Sequence, residues 1–290
     1  MGPGLHILTR RVPPPPPKDT CLVCNKHPKR RDYQFCSDGC TAQVTNQAYP
    51  HLIRVPEDHI FFANVTSQFS SNWLSSKPMP RVHKIYLITW PREMRNSFQK
   101  YRSEISNRFR IDESSLPAES RSYHAKRPAE IKAFRSERRS CQLGETRKNL
   151  ELCSGECRLC QAIRTGFGSS LRHKREMVRK NSKSGVRFGA GVYMTPQSNK
   201  AYQYAKDMNP GSKYKAVLVT RVVLGKQEEL RAENTMLERP SPGFDSVLGV
   251  AAGGEDSEYI VYHEDAVRPA YLLMVDPVDS DCDSEPTSAV

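Results

Sequence analysis

The sequence predicts an α+β fold with a small cysteine-rich knuckle in front, and three observations carry that prediction. The last third holds short runs of β-branched and aromatic residues bounded by Gly, Pro and Asp. The first half reads as helix, strand, helix. Eight of the nine cysteines fall in two groups of four. At 290 residues the chain has room for one large domain or two modest ones. Apolar residues make up 37% of it, low for a compact globule, so part is expected to be solvated tail or linker.

Residues 1–20 form a proline-rich leader, expected to be extended and disordered. Residues 21–45 hold the first cysteine quartet. Over residues 58–73, Ile60, Phe61, Ala63, Asn64, Val65, Phe69 and Trp73 recur at spacings near three and four, which predicts a helix. Residues 82–88 read as a strand. Pro91 then opens a helix to about Phe109, with Met94, Phe98, Tyr101 and Ile105 on one face. Residues 111–120 read as a loop. The basic stretch that follows carries the second quartet and a helix from residue 160 to about residue 167. Strands are expected at 191–194, 216–223, 259–262 and 270–275, with a short helix at 198–205. Residues 276–290 are acidic, Ser/Pro-rich and expected to be disordered.

The formal charge of +12 is concentrated in one place. Residues 121–187 hold 18 Lys/Arg and six Asp/Glu, and the rest of the chain balances at 26 of each. That segment alone is a candidate for polyanions. Arg172, His173, Lys174, Arg175, Arg179 and Lys180 are its densest part, but no aromatic residues interleave with them to stack bases. A solvated face is the plain alternative.

No run approaches a membrane span, and the first ten residues lack the apolar core of a signal peptide. Gly2 is followed by His6 rather than Ser or Thr, so the myristoylation pattern fails. The chain is therefore expected to be intracellular, nuclear or cytoplasmic. In a reducing compartment nine cysteines favour metal sites over disulfides.

The quartets support that. Cys21, Cys24, Cys36 and Cys40 are separated by two, eleven and three residues; Cys141, Cys153, Cys157 and Cys160 by eleven, three and two. A pair of cysteines two residues apart sets two thiolates on one side of a metal, and a second close pair completes a tetrahedron. Both read as closed, structural zinc sites, with partly buried free thiols as the alternative.

The C-terminal third carries Gly189-Ala190-Gly191-Val192-Tyr193-Met194-Thr195, Ser198-Asn199-Lys200-Ala201-Tyr202-Gln203-Tyr204, Val222-Val223-Leu224-Gly225, Gly243-Phe244-Asp245-Ser246-Val247 and Glu258-Tyr259-Ile260-Val261-Tyr262. In this order and spacing the motifs resemble the catalytic domain of poly(ADP-ribose) polymerases. The run from Tyr262 to Leu272 and the second quartet are similar to a branch common in filamentous fungi. The resemblance covers residues 58–275 and implies a split antiparallel β-sheet ADP-ribosyltransferase fold that binds NAD⁺ through a His-Tyr-Glu triad.

Carried over by position, Tyr193 matches the triad tyrosine, Glu258 the catalytic glutamate, Tyr204 the tyrosine that stacks on nicotinamide, and Lys200 a lysine common in the short helix. For the histidine, Glu119-Ser120-Arg121-Ser122-Tyr123-His124 fits the family's run and selects His124, with Ala125 where the family has glycine. The fungal spacing from Cys141 instead lands on Arg135, and both alternatives stand. His124 would bind the adenosine-side ribose. The function implied is transfer of ADP-ribose from NAD⁺ to a protein or nucleic-acid acceptor. A catalytically dead fold acting as a zinc-dependent binding module is the alternative, and nucleic-acid binding would run through residues 121–187. The chain has no room for the autoinhibitory helical domain of DNA-damage-responsive members, so no dependence on DNA breaks is expected.

Overall fold

The computed structural model describes residues 18–31, 33–114, 130–181, 185–250 and 257–278. Residues 1–17 of the expected leader and the acidic tail beyond Val278 lie outside them, whereas residues 18–20, expected to be disordered, are held by bridges from Lys18 to His59 and from Thr20 to Pro28. Two sheets organise the chain. The larger has five strands in the order β1 (Leu52–Val55), β2 (Val82–Ile88), β9 (Val267–Val275), β5 (Lys215–Val223) and β3 (Glu130–Arg135), all antiparallel. The smaller runs β4 (Val192–Met194), β8 (Ser257–Val261), β7 (Ser246–Val250) and β6 (Gln227–Leu230). Its only parallel pairing among the described strands is β6 with β7.

Helices cover both faces of the larger sheet, which is why β9 is buried at every position. Its side chains alternate. Leu272 and Met274 join a core with Tyr86, Ile88, Leu218, Leu159, Ile163 and Phe167. Leu273 and Val275 join another with Ile85, Leu87, Val217, Val65, Phe69 and the knuckle residues Cys21 and Phe35. β9 begins three residues before the expected strand, passing through Pro269. A central strand accepts this proline because the β5–β9 register shifts between Val219 and Thr220, at the proline's partner.

Helix α1 (Asp38–Thr45) closes the knuckle, with the Ser37 side chain accepting from the Cys40 amide at 3.2 Å. Helix α2 (Ile60–Ser71) falls where the periodicity puts it. Helix α3 (Arg92–Ser114) runs past the expected end, so residues 111–114 are helix rather than loop. No Gly or Pro interrupts the chain before Pro117. The basic stretch holds two helices where one was expected, α4 (Arg158–Thr165) and α5 (Gly168–Arg179). Gly166, at φ 57°, ends the first, and Leu171 and Val178 anchor the second one heptad apart. Helix α6 (Ser198–Gln203) follows β4. No helix among the described residues is long and apolar enough to cross a membrane.

Fully buried Arg139 ties the sheet ends together. It donates to the Glu145 carboxylate at 2.6 Å, to the carbonyls of Leu143 and Tyr214 at 2.8 and 2.6 Å, and to Asp207. The two sheets meet where Phe134 and Thr195 exchange backbone hydrogen bonds of 2.8 and 2.9 Å. That joint opens onto the cleft described next.

Candidate active site

A cleft of about 1050 Å³ lies between the end of β3, strand β4, helix α5, helix α6 and the start of β8. Among the described residues it is lined by Tyr193, Lys200, Tyr204 and Glu258, so one cavity collects four of the residues singled out from the sequence. The other two, His124 and Ala125, lie outside the described residues. Arg135, the alternative to His124, lines the cleft.

Each side chain is delivered by a specific backbone feature. The glycine turn before β4 is tight: Gly189 sits at φ 74°, and a Cβ there would fall 1.8 Å from the Leu237 carbonyl oxygen. Tyr193 locks this turn, its hydroxyl donating to the Gly189 carbonyl at 2.8 Å and accepting from the Phe188 amide at 2.9 Å. Burial raises the Tyr193 hydroxyl pKa well above its ordinary value, so it remains a phenol. The ammonium of Lys174 sits 5.1 Å from the centre of the Tyr193 ring. One approach to that ring is therefore held by a cation. Tyr204, just beyond α6, is 63% exposed and offers its ring to solvent.

Glu258 enters from β8, opposite Gly249 of β7. Its carboxylate is 3.5 Å from the Lys200 ammonium, and both side chains are largely buried. A lysine in that position fixes the carboxylate at the cleft wall. Arg135 points into the same space from β3. Its guanidinium donates twice to Glu137, at 2.9 and 2.5 Å, and once to the Tyr193 carbonyl at 2.5 Å.

Seven Lys/Arg line the cleft against three glutamates. Arg138, Arg158 and Lys206 hold no ion pair among the described residues, so the rim favours an anion. Lys174 is pushed down to about 8, first by burial and then by the neighbouring Arg135 charge. His173 beside it is also lowered, mainly by burial and then by Arg158 and Lys174. The sequence reading missed Arg158, Lys174 and Glu137 as cleft residues. Lys174 was visible only as one of a basic run, and nothing in the sequence marked Glu137 as the partner of Arg135.

Both cysteine quartets are assembled, with the four sulfurs of each within 4.8 Å of one another. A tetrahedral zinc with Zn–S near 2.3 Å sets its sulfurs about 3.8 Å apart. The observed separations of 3.6 Å for Cys24–Cys36, Cys36–Cys40, Cys141–Cys157 and Cys141–Cys160 fit that geometry. The second quartet abuts the cleft: Cys157 is the N-cap of α4, whose first residue is Arg158.

The Poly(ADP-ribose) polymerase catalytic domain family model matches residues 171–256. This segment is similar to that family's catalytic domain. The matched stretch contains α5 from Leu171 onward, the glycine turn, Tyr193, Lys200 and Tyr204, and it ends two residues before Glu258. The human Protein mono-ADP-ribosyltransferase PARP3 is 27% identical over 127 residues, covering 32% of this chain. The chain spans about a quarter of the length of that curated relative, 24% of it. The mixed α+β architecture with its antiparallel sheets agrees with the poly(ADP-ribose) polymerase catalytic fold.

Proposed function

We propose that the protein is an NAD⁺-dependent ADP-ribosyltransferase, moving ADP-ribose from NAD⁺ to a macromolecular acceptor with release of nicotinamide. The observation that carries this reading is the Lys200–Glu258 pair, in one cleft with Tyr193 and Tyr204. The bond between the nicotinamide nitrogen and the ribose anomeric carbon breaks, and its electron pair leaves with nicotinamide. The ribose passes through an oxocarbenium-like state, as in glycoside hydrolysis. The leaving group is already cationic, so no general acid is required. A carboxylate beside the ribose stabilises the developing positive charge and orients its 2′-hydroxyl, which is the role of Glu258. The acceptor then attacks the anomeric carbon and gives up its proton.

Tyr193 and Tyr204 flank the nicotinamide ring, contributing about 1 kcal/mol of stacking beyond burial. Lys200 fixes Glu258. His124 and Ala125 hold the adenosine-side ribose and the nicotinamide amide. The cationic rim receives the pyrophosphate. Zinc in the two quartets fixes the knuckle and the cleft wall without taking part in a step.

A second reading is a zinc-dependent binding module on a transferase fold that has lost its chemistry. It is favoured by Arg135, which the count from Cys141 sets in the place of the histidine. Incubation with labelled NAD⁺ and a cell lysate separates the two. Transfer predicts labelled protein with the wild type and at least a ~100-fold loss with Glu258→Gln, as for other preorganised electrostatic groups. Equal signals from the two, or none from either, favour the binding module.

A further inference from the structure

Lys174 stands where the transfer chemistry above needs room. The Tyr193 ring packs against the buried cluster of Phe188, Val247, Ile260 and Tyr262, so a second ring reaches it only from the cleft. The Lys174 ammonium lies over that ring, 5.1 Å from its centre, and lines the same cleft. Two stacked aromatic rings have their centres about 4.5–7 Å apart. An ammonium and a nicotinamide ring therefore compete for one place on Tyr193.

The lysine is held there by more than the ring. It projects from α5, which Leu171 and Val178 anchor, and its ammonium donates to the Gly185 carbonyl. Gly185 leaves space for that contact: it sits at φ 67°, and a Cβ there would lie 3.1 Å from Nζ of Lys174. Four charged groups face the ammonium from other elements. Arg135 of β3 and Arg158 of α4 oppose its charge, while Glu137, just beyond β3, and Glu258 of β8 favour it.

We propose that Lys174 plugs the nicotinamide subsite of the resting protein, so that the dinucleotide opens the subsite and free nicotinamide does not. This rests on the ADP-ribosyltransferase reading, which puts the nicotinamide ring on Tyr193. Seating the ring costs the cation–π contact and the bond to Gly185. The ADP half of NAD⁺ makes its own contacts with rim cations such as Arg138 and Arg158, and that binding energy offsets the displacement of the lysine. Free nicotinamide has no such half. The nicotinamide ring of NAD⁺ is moreover a cation, so the ammonium must leave before it stacks. When nicotinamide departs the ammonium returns, and the product is not readmitted.

The test is calorimetric titration of the full chain with nicotinamide and with ADP-ribose, neither of which turns over alone. Lys174→Ala removes the plug and keeps a helix-favouring residue in α5. It should bind nicotinamide about tenfold or more tighter than the wild type, the scale of a partly desolvated cation–π contact. It should not tighten ADP-ribose, which lacks the nicotinamide. A lysine that merely braced the cleft would weaken nicotinamide on removal. Nicotinamide bound equally or more weakly by the folded variant overturns the proposal, as does an equal gain for ADP-ribose. The wild type alone decides the matter if the variant fails to fold. Burial and then Arg135 hold Lys174 down to about 8, and the adjacent His173, lowered mainly by burial, is already largely neutral at pH 7. Nicotinamide affinity should therefore rise several-fold from about pH 7 to about pH 9.5 as the ammonium loses its charge, and a flat or falling profile overturns the plug. Nicotinamide binding without these gains removes only the plug, whereas a wild type and variant that bind neither ligand remove the ADP-ribosyltransferase reading with it.

Discussion

Lys174 makes the cleft sensitive to pH. Its ammonium lies over Tyr193, donates to the Gly185 carbonyl and feels Glu258 across the cavity, while burial and Arg135 hold it down to about 8. Below that value it adds a positive charge to the cleft; above it the charge is gone. Affinity for ADP-ribose should therefore fall as pH rises from 7 through about 9, and Lys174→Gln should flatten that profile. The sign for stability is opposite. Between about 8 and the ordinary lysine value the unfolded chain binds more protons at this site, so folding gains with pH across that window. An identical titration profile in wild type and Lys174→Gln, measured by calorimetry, would contradict the assignment.

At the scale of elements, helix α4 couples the second quartet to the cleft. Cys157 caps it, Cys160 lies within it, and Leu159, Ala162 and Ile163 bury against the central sheet. Its exposed side presents Arg158 and Gln161 to the cavity. Removing zinc should loosen this wall before it melts the sheet. Cys157→Ser is expected to reduce bound zinc from two to one per chain and to lower the melting temperature by several degrees, read by metal analysis and a thermal melt. Full zinc content with an unshifted melt would show that the quartet holds no structural metal.

The elements that the sequence revealed and those it hid differ in what stabilises them. Strands β2, β5 and β9 are apolar on both faces, so composition alone marked them. Strand β3 reads Glu-Ile-Lys-Ala-Phe-Arg and gave no such signal. Its charges are satisfied only in the fold, where Glu130 meets Arg102 at 3.0 Å and Arg221. Strand β6, Gln-Glu-Glu-Leu, is a polar edge, and helix α5 hides its two anchors, Leu171 and Val178, among arginines and lysines. The site followed the same division. Tyr193, Lys200, Tyr204 and Glu258 sit in motifs of fixed spacing, and they line one cleft. Lys174 meets Tyr193 only in three dimensions, and Glu137, although two residues from Arg135, stands in a polar run that carries no motif.

Across the whole molecule, the charge of +12 resolves into a local feature. Residues 121–187 supply Arg135, Arg138, Arg158, Lys174 and Arg187 to one side of the cleft, and Lys200 and Lys206 face them from the other. An anionic dinucleotide is sufficient to account for this surplus. Glu258, between those two walls and paired with Lys200, is the one group on which the transfer account depends. The most direct test follows both products of one incubation with NAD⁺ labelled on its adenosine half. Nicotinamide release and protein-bound label are counted together, for the wild type and for Glu258→Gln. The account predicts nicotinamide and bound label in equal amounts from the wild type, and loss of both in the variant. Nicotinamide without bound label would make the protein an NAD⁺ hydrolase, and neither product from the wild type would contradict the account outright.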